Sequence, residues 1–172
     1  MLGSPACLIV SRLSTQLDRH VGLLIAGFVT AKATAAIAAL LGAWAASFLI
    51  GQSRAWLVAA ALIVAAVMMV RGPRTKPLAE PTRSLGAMGL VLFAKQAADP
   101  ARWVIFASAA ALGKAQHAML GGGFGVAFVL ILCWWLNERV TAYAHHSIVR
   151  NAIGALFVLT ALLIGFIGKN SI

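Results

Sequence analysis

Five long apolar stretches dominate this chain of 172 residues, and they restrict its fold more than any other feature. They cover residues 21–50, 55–70, 86–112, 118–136 and 153–167. Because a helix needs roughly 20 apolar residues to cross about 30 Å of hydrocarbon, these stretches predict transmembrane helices. With 62% hydrophobic and only 10% charged residues, we expect an all-α, polytopic membrane protein in contact with the lipid bilayer.

The net charge of +10 would favour a nucleic-acid partner in a soluble protein, but here the basic residues sort by loop. Arg74, Lys76 and Arg83 lie in a Pro-rich linker, residues 73–84, between the second and third apolar stretches. The positive-inside rule places such a linker in the cytoplasm. We therefore expect a multi-pass topology and no nucleic-acid partner.

The stretch at residues 86–112 is interrupted by charge at its middle. Neither apolar flank alone is long enough to cross the bilayer, so the segment predicts one span with Lys95, Asp99 and Arg102 near its centre. At about 100° per residue, these side chains fall within about 60° of one another on a helix. They predict either a functional site, since intramembrane charges usually line a pathway, or a self-neutralised structural ion pair.

Lys32 is a further intramembrane charge, in the middle of the stretch at residues 21–50. That stretch contains no acid, and an unpaired lysine at the bilayer centre costs about 3 kcal/mol on insertion scales. We expect Lys32 to snorkel towards the interface, to lose its proton, or to reach Asp99 from a neighbouring helix. It is therefore a candidate for the ion path.

Two similar tripeptides indicate an internal repeat. Residues 4–6 read Ser-Pro-Ala and residues 99–101 read Asp-Pro-Ala, and each precedes an apolar run. If each half holds three spans, the halves must enter the membrane from opposite sides, as in the inverted repeats of many secondary transporters. The predicted units are residues 1–72, the linker at 73–84, and residues 85–172.

The first of these halves lacks most of its leading helix, because only residues 1–3 precede its Ser-Pro-Ala step. Either the reading frame begins upstream of Met1 or the protein is shortened, and the sequence leaves both open. The predicted fold is thus a transmembrane helical bundle built as an inverted repeat of three-helix halves, with the first helix truncated.

In this arrangement the chain resembles the Golgi-type manganese and calcium/proton exchangers, a family with bacterial inner-membrane members. Each half of those proteins carries a Glu-x-Gly-Asp-Lys/Arg-Thr motif, which corresponds here to residues 96–101 and residues 1–6. The resemblance implies exchange of manganese or calcium for protons in the inner (plasma) membrane. It also implies that Asp99, Gln96 and Ser4 face a common translocation site, with Asp99 and Gln96 as candidate metal ligands.

The motif positions differ from the family pattern in their chemistry. Gln96, Met1 and Ser4 replace three acids, and Asp99 is the one carboxylate that remains. A hard divalent cation needs several oxygen ligands with negative charge among them. Lys95 and Arg102 bring the local charge to +1, which argues against an intact manganese or calcium site.

Two other functions therefore stay open beside cation exchange. One is export of a small anionic or zwitterionic solute, with Lys95, Arg102 and Lys32 as the binding charges. The other is a structural membrane protein that keeps the fold without transport. The sequence contains no Ser-His-Asp set, no carboxylate pair and no zinc-ligand spacing, so we expect neither an enzyme nor a cofactor. The oligomeric state is left open.

Overall fold

The structure is a computed structural model that describes residues 21–71, 85–136 and 147–169. Over these residues it contains helices and no strand. The helices are α1 (Val21–Ser47), α2 (Gln52–Arg71), α3 (Leu85–Ala97), α4 (Pro100–Leu112), α5 (Ala115–Leu136) and α6 (Ser147–Lys169). The prediction of an all-α fold is confirmed for this part of the chain.

Three helices among the described residues are long and apolar enough to cross a membrane. They are Ile25–Ser47 within α1, the whole of α2, and Ile148–Gly168 within α6. Their outward faces are also apolar: on α6, Leu162 and Leu163 are each 61% exposed and Phe166 is 67% exposed. Large apolar side chains turned outward along a helix suit contact with lipid. The chain therefore has the helices of a membrane protein.

Small residues bring α1, α4 and α5 together. Ala35 of α1, Ile105 of α4 and Ala118 of α5 belong to one buried cluster. Gly42 of α1 lies against the backbone carbonyl of Phe106 in α4, where a Cβ on the glycine would overlap the carbonyl oxygen. Because lipid gives helices no hydrophobic drive to associate, close backbone approach of this kind supplies packing energy instead.

A second buried cluster joins α2 to its neighbours. Its members come from α1, α2, α4 and α6, and they are Ala46, Val58, Ala59, Ala61, Leu62, Ala107, Ala110 and Ala161. The helix α6 runs antiparallel to α2, since Gly154 near its start packs against Val70 and Gly168 near its end packs against Ala55. Glycine at both places removes the side chain that would hold the two helices apart.

The charged segment does not form one continuous helix. The helices α3 and α4 have 13 residues each, a rise of about 20 Å, and residues 98–99 between them are not helical. Pro100 explains the break, because proline lacks a backbone N–H and pushes the preceding residue into an extended conformation. Asp99 accordingly has φ −82° and ψ 136°. The prediction that Lys95, Asp99 and Arg102 share one uninterrupted helical face is therefore wrong.

Both short helices pack along α1, and we refer to them together as the interrupted span. Gln96, near the end of α3, bonds to the carbonyl of Gly27 in the first half of α1. The helix α4 then continues in the direction of α1, so that Phe106 comes to lie on Gly42. Together the two helices pair with most of the length of α1, which neither could do alone.

The helices alternate in direction across the bundle. The helices α2 and α5 return after turns at Gly51 and Gly113, whose φ angles of 57° and 66° lie in the left-handed region that suits glycine. As a result α1, α4 and α6 run one way, and α2 and α5 run the other way. This order agrees with the predicted alternation of spans. The division into inverted halves stays a prediction, since residues 1–20 and the linker at 73–84 lie outside the described residues.

Candidate functional site at the helix break

Four buried polar or charged side chains lie around the break between α3 and α4. They are Thr34, Gln96, Asp99 and Arg102, with exposed fractions of 3%, 1%, 6% and 4%, and we refer to them as the break cluster. Three of these four are residues that the sequence predicts as site candidates. Because buried polar groups are costly unless they are paired, the partners of each side chain decide what the cluster can do.

Gln96 connects three helices through the two ends of its amide. Its Nε2 donates to the backbone carbonyl of Gly27 in α1 at 3.3 Å, and its Oε1 accepts from Nη2 of Arg102 in α4 at 3.2 Å. The orientation of the amide follows from these partners, because a carbonyl only accepts and a guanidinium only donates. Gln96 therefore ties α3 to both α1 and α4 at the break.

Thr34 is the member of the break cluster that lies on α1. Its Oγ1 donates to the carbonyl of Thr30 at 2.7 Å and also lies 3.5 Å from Oε1 of Gln96. A hydroxyl has a single hydrogen, so the shorter bond takes it, and the longer distance is a close approach only. Thr34 acts here as a packing hydroxyl.

Arg102 is the least satisfied member of the break cluster. Of its three side-chain nitrogens, Nη2 alone has a partner within the described ranges, which is the neutral amide oxygen of Gln96. Nε and Nη1 are buried and have no hydrogen-bond partner among the described residues. A buried charge normally requires an opposite charge and satisfied donors. Arg102 is thus a buried positive charge with open donors.

Asp99 attracts Arg102 electrostatically but accepts no hydrogen bond from it. Its Oδ1 instead accepts from the backbone N–H of Ala101 at 2.9 Å, which makes Asp99 the N-cap of α4. Aspartate at the cap followed by proline at the first helical position is a strongly preferred helix start. Asp99 is therefore engaged by its own helix, and the predicted self-neutralised ion pair is not a direct contact.

Lys32 lies away from the break cluster. It stands two positions from Thr34 on α1, which turns its side chain by about 200°. Its ammonium lies 3.8 Å from the ring centroid of Phe124 in α5 and 5.3 Å from that of Phe28. Gly123 leaves room for the lysine stem. In the part of the chain that the structure describes, Lys32 therefore contacts aromatic rings and no acid.

Two further predicted residues contribute no observed contact to the site. Lys95 is half-buried in α3 and makes no hydrogen bond or ion pair within the described part of the chain. Ser4 lies outside the described residues, as does the whole motif at residues 1–6. The predicted meeting of two motifs therefore stays a prediction.

Arg54 holds the end of α4 that lies away from the break cluster, and no sequence pattern marks it for this role. Its Nε donates to the carbonyl of Ala110 at 2.6 Å and its Nη2 to the carbonyl of Ala111 at 3.0 Å. These carbonyls belong to the last turn of α4, where backbone acceptors lack helical partners. The guanidinium also packs closely against Gly113. Arg54 therefore caps the end of α4 opposite to Asp99.

The electrostatic balance of the break cluster favours an anion over a cation. Arg102 contributes a full positive charge, and the first turn of α4 adds the positive end of a helix dipole, whereas Asp99 supplies one negative charge. No group of three His, Cys, Asp or Glu side chains able to hold a metal occurs in the described ranges. The amide oxygen of Gln96 is also already occupied by Arg102.

Comparison of the chain with protein-family models, with curated proteins and with solved structures gives no match. The expected relationship to the manganese and calcium/proton exchangers is therefore neither supported nor contradicted by these comparisons.

Proposed function

We propose that this protein is a multi-pass membrane transporter for a small anionic or zwitterionic solute, with the break cluster as its recognition site. The observation that carries the proposal is the state of Arg102: the residue is 4% exposed, and its Nε and Nη1 have no partner among the described residues. An anion at this position would accept the open hydrogen bonds and offset the buried charge.

The helix break supports a role in transport. Non-helical backbone at membrane depth is tolerated where it is buried in protein or lines a cavity, and discontinuous helices form the substrate sites of many secondary transporters. The break also places the N-terminal end of α4, which favours negative charge, beside Arg102. The candidate binding charges for such a solute are Lys95, Arg102 and Lys32, and of these Arg102 belongs to the break cluster.

The same proposal includes the architecture and the location. We propose an inverted repeat related to the manganese and calcium/proton exchangers, in the inner (plasma) membrane. The opposite directions of α1 and α5, and of α2 and α6, support this repeat, because these pairs would correspond between the two halves. The basic linker at residues 73–84 would then lie in the cytoplasm.

Exchange of manganese or calcium for protons is the second candidate function. It is favoured by Asp99 and Gln96, which occupy the motif positions and lie together in the break cluster. Their oxygens are engaged as the N-cap of α4 and as the partner of Arg102, and the charge of Arg102 opposes a divalent ion. A third candidate is a structural membrane protein in which buried water satisfies Arg102.

Proteoliposomes containing the full chain distinguish these candidates. We expect gradients of acetate, chloride or glycine to drive solute flux, and a gradient of Mn²⁺ to drive none. Arg102→Met should abolish the flux, whereas Lys114→Met, which removes an exposed cation, should leave it unchanged. Flux that persists in Arg102→Met would contradict the proposed site. Absence of all flux would favour the structural protein.

A growth assay addresses the cation candidate directly. We expect the wild-type chain not to rescue a strain that lacks its own manganese exporter, because Asp99 is the only carboxylate of the break cluster. Manganese resistance that is conferred by the wild-type chain, and lost in Asp99→Asn at equal expression, would restore the cation-exchanger hypothesis.

A further inference from the structure

We propose that the chemical group recognised at the break cluster is a carboxylate, held by one two-donor edge of the Arg102 guanidinium. This inference rests on the proposed function and narrows its class of solute. A guanidinium is planar, carries five N–H donors and presents two forked edges. One edge is formed by Nε and Nη2, and the other by Nη1 and Nη2, so Nη2 contributes one hydrogen to each.

One of these edges stays open whichever hydrogen Gln96 accepts. The single bond from Nη2 to Oε1 of Gln96 uses only one of the two Nη2 hydrogens. Nε and Nη1 are both buried and without a partner among the described residues. The edge that Gln96 does not use therefore keeps both of its donors, pointing in parallel.

A carboxylate matches such a fork better than other small anions do. Its two oxygens accept two parallel N–H bonds in one plane, which is the bidentate geometry typical of arginine. A spherical ion such as chloride is attracted by the charge, but it has no pair of acceptor atoms to match the two parallel N–H donors. A single negative charge also suits the break cluster, because Arg102 is its one cation and Asp99 already supplies a negative charge nearby.

Gln96 acts as a positioning residue for this fork. Its amide is anchored to the Gly27 carbonyl at 3.3 Å and thereby holds the Nη2 end of Arg102 in place. The substitution Gln96→Glu would put a carboxylate of the protein itself beside the guanidinium. That built-in carboxylate should compete with the carboxylate of a solute for the same donors.

The test measures thermal unfolding of the detergent-solubilised full chain at constant ionic strength. The probes are sodium acetate, sodium chloride, glycine and acetamide. Acetate should raise the Tm progressively as its concentration increases, and chloride should need about tenfold higher concentration for the same rise, the factor expected for loss of one charge-assisted hydrogen bond. Acetamide has the same shape as acetate but no charge and should have no effect. If glycine as well as acetate raises the Tm, the class of solute is amino acids. If acetate alone raises the Tm, the class of solute is simple organic acids.

Three variants test whether the rise in Tm with acetate arises at the break cluster. Arg102→Lys keeps the charge without the planar fork, so the preference for acetate over chloride should disappear. Gln96→Glu should lose the acetate response. Lys114→Met, which changes an exposed residue outside the cluster, should keep the response.

The outcomes separate this inference from the proposed function. Equal stabilisation of the wild-type protein by acetate and chloride would overturn the fork and leave anion transport standing, as would an unchanged acetate preference in Arg102→Lys. Absence of any anion response, together with absence of anion flux in proteoliposomes, would overturn the proposed function as well. If Arg102→Lys does not fold, the wild-type comparison of acetate, acetamide and chloride decides the question.

Discussion

Gly42 of α1 lies directly against the backbone carbonyl of Phe106 in α4. Neither partner can yield by changing a rotamer, because the contact joins backbone to backbone. The contact fixes how close α4 sits to α1, and α4 carries Arg102 four residues before Phe106. The position of the break cluster therefore depends on a glycine that lies outside it.

Gly42→Ala should destabilise the protein by about 1–3 kcal/mol, because the added methyl group overlaps a backbone carbonyl and forces the two helices apart. Thermal unfolding in detergent measures the loss. The matched control is Gly121→Ala on α5, where a Cβ meets nothing within 4 Å. That variant should be neutral or gain up to about 1 kcal/mol of helix propensity. Equal stability of the two variants would contradict the close approach of α1 and α4.

Arg54→Met should lower stability by about 2 kcal/mol, since the carbonyls of Ala110 and Ala111 each lose a charged donor. Arg54→Lys should fall between this variant and the wild type, because one ammonium does not reproduce the two-point contact. The Tm of each variant measures the effect, with Lys114→Met as the control for charge removal. A Tm of Arg54→Met equal to that of the control would show that the cap contributes nothing.

Asp99→Asn and Asp99→Ala separate the two roles of this carboxylate. Asparagine can still cap α4 and loses only the charge near Arg102, whereas alanine loses the cap as well. We expect Asp99→Ala to be less stable than Asp99→Asn by about 1 kcal/mol, the usual worth of an N-cap. Chemical denaturation of the two variants gives the difference. Equal stabilities would argue that the charge alone matters.

Lys32 and Phe124 should be energetically coupled, because the ammonium lies 3.8 Å from the ring centroid. A double-mutant cycle with Lys32→Met and Phe124→Leu should give a coupling of about 0.5–2 kcal/mol. The control cycle replaces Phe124 by Phe128, which lies one turn later on α5 and is 62% exposed. A coupling as large in the control cycle would mean that the aromatic contact is not specific.

The linker at residues 73–84 should be cytoplasmic, because its basic residues follow the positive-inside rule. A cysteine at Thr75 should be protected from an impermeant maleimide added to intact cells and should react after permeabilisation. Thr75 lies outside the described residues, so this measurement tests the orientation independently of the helix packing. Labelling from the outside would invert the proposed topology.

The long helices could be predicted from the sequence, because the thickness of the bilayer sets the number of apolar residues that a membrane-spanning helix needs. The stretch at residues 21–50 corresponds to α1 (Val21–Ser47), and the stretch at residues 55–70 lies within α2 (Gln52–Arg71). The break at Asp99 was not predicted, although Pro100 signals it. A helical period of 3.6 residues predicts Lys95, Asp99 and Arg102 on one continuous helix, but Pro100 has no N–H to continue that helix.

The members of the break cluster were largely predictable, but their partners were not. Intramembrane charge and amide groups single out Gln96, Asp99 and Arg102 in the sequence. Gln96, however, bonds to the backbone of Gly27, which is 69 residues away and has no side chain to mark it. Arg54 likewise recognises main-chain carbonyls, which every residue possesses. Tertiary packing alone selects such partners.

The interrupted span also constrains the order in which the protein can assemble. Each of its two helices is shorter than the bilayer is thick, and α4 carries a buried arginine, so neither helix is a good substrate for membrane insertion by itself. Gly27, which holds Gln96, and Arg54, which caps α4, both precede the interrupted span in the chain. Because synthesis starts at the N-terminus, α1 and α2 are made before α3 and α4. The packing partners of the charged helix pair are therefore present when that pair is inserted.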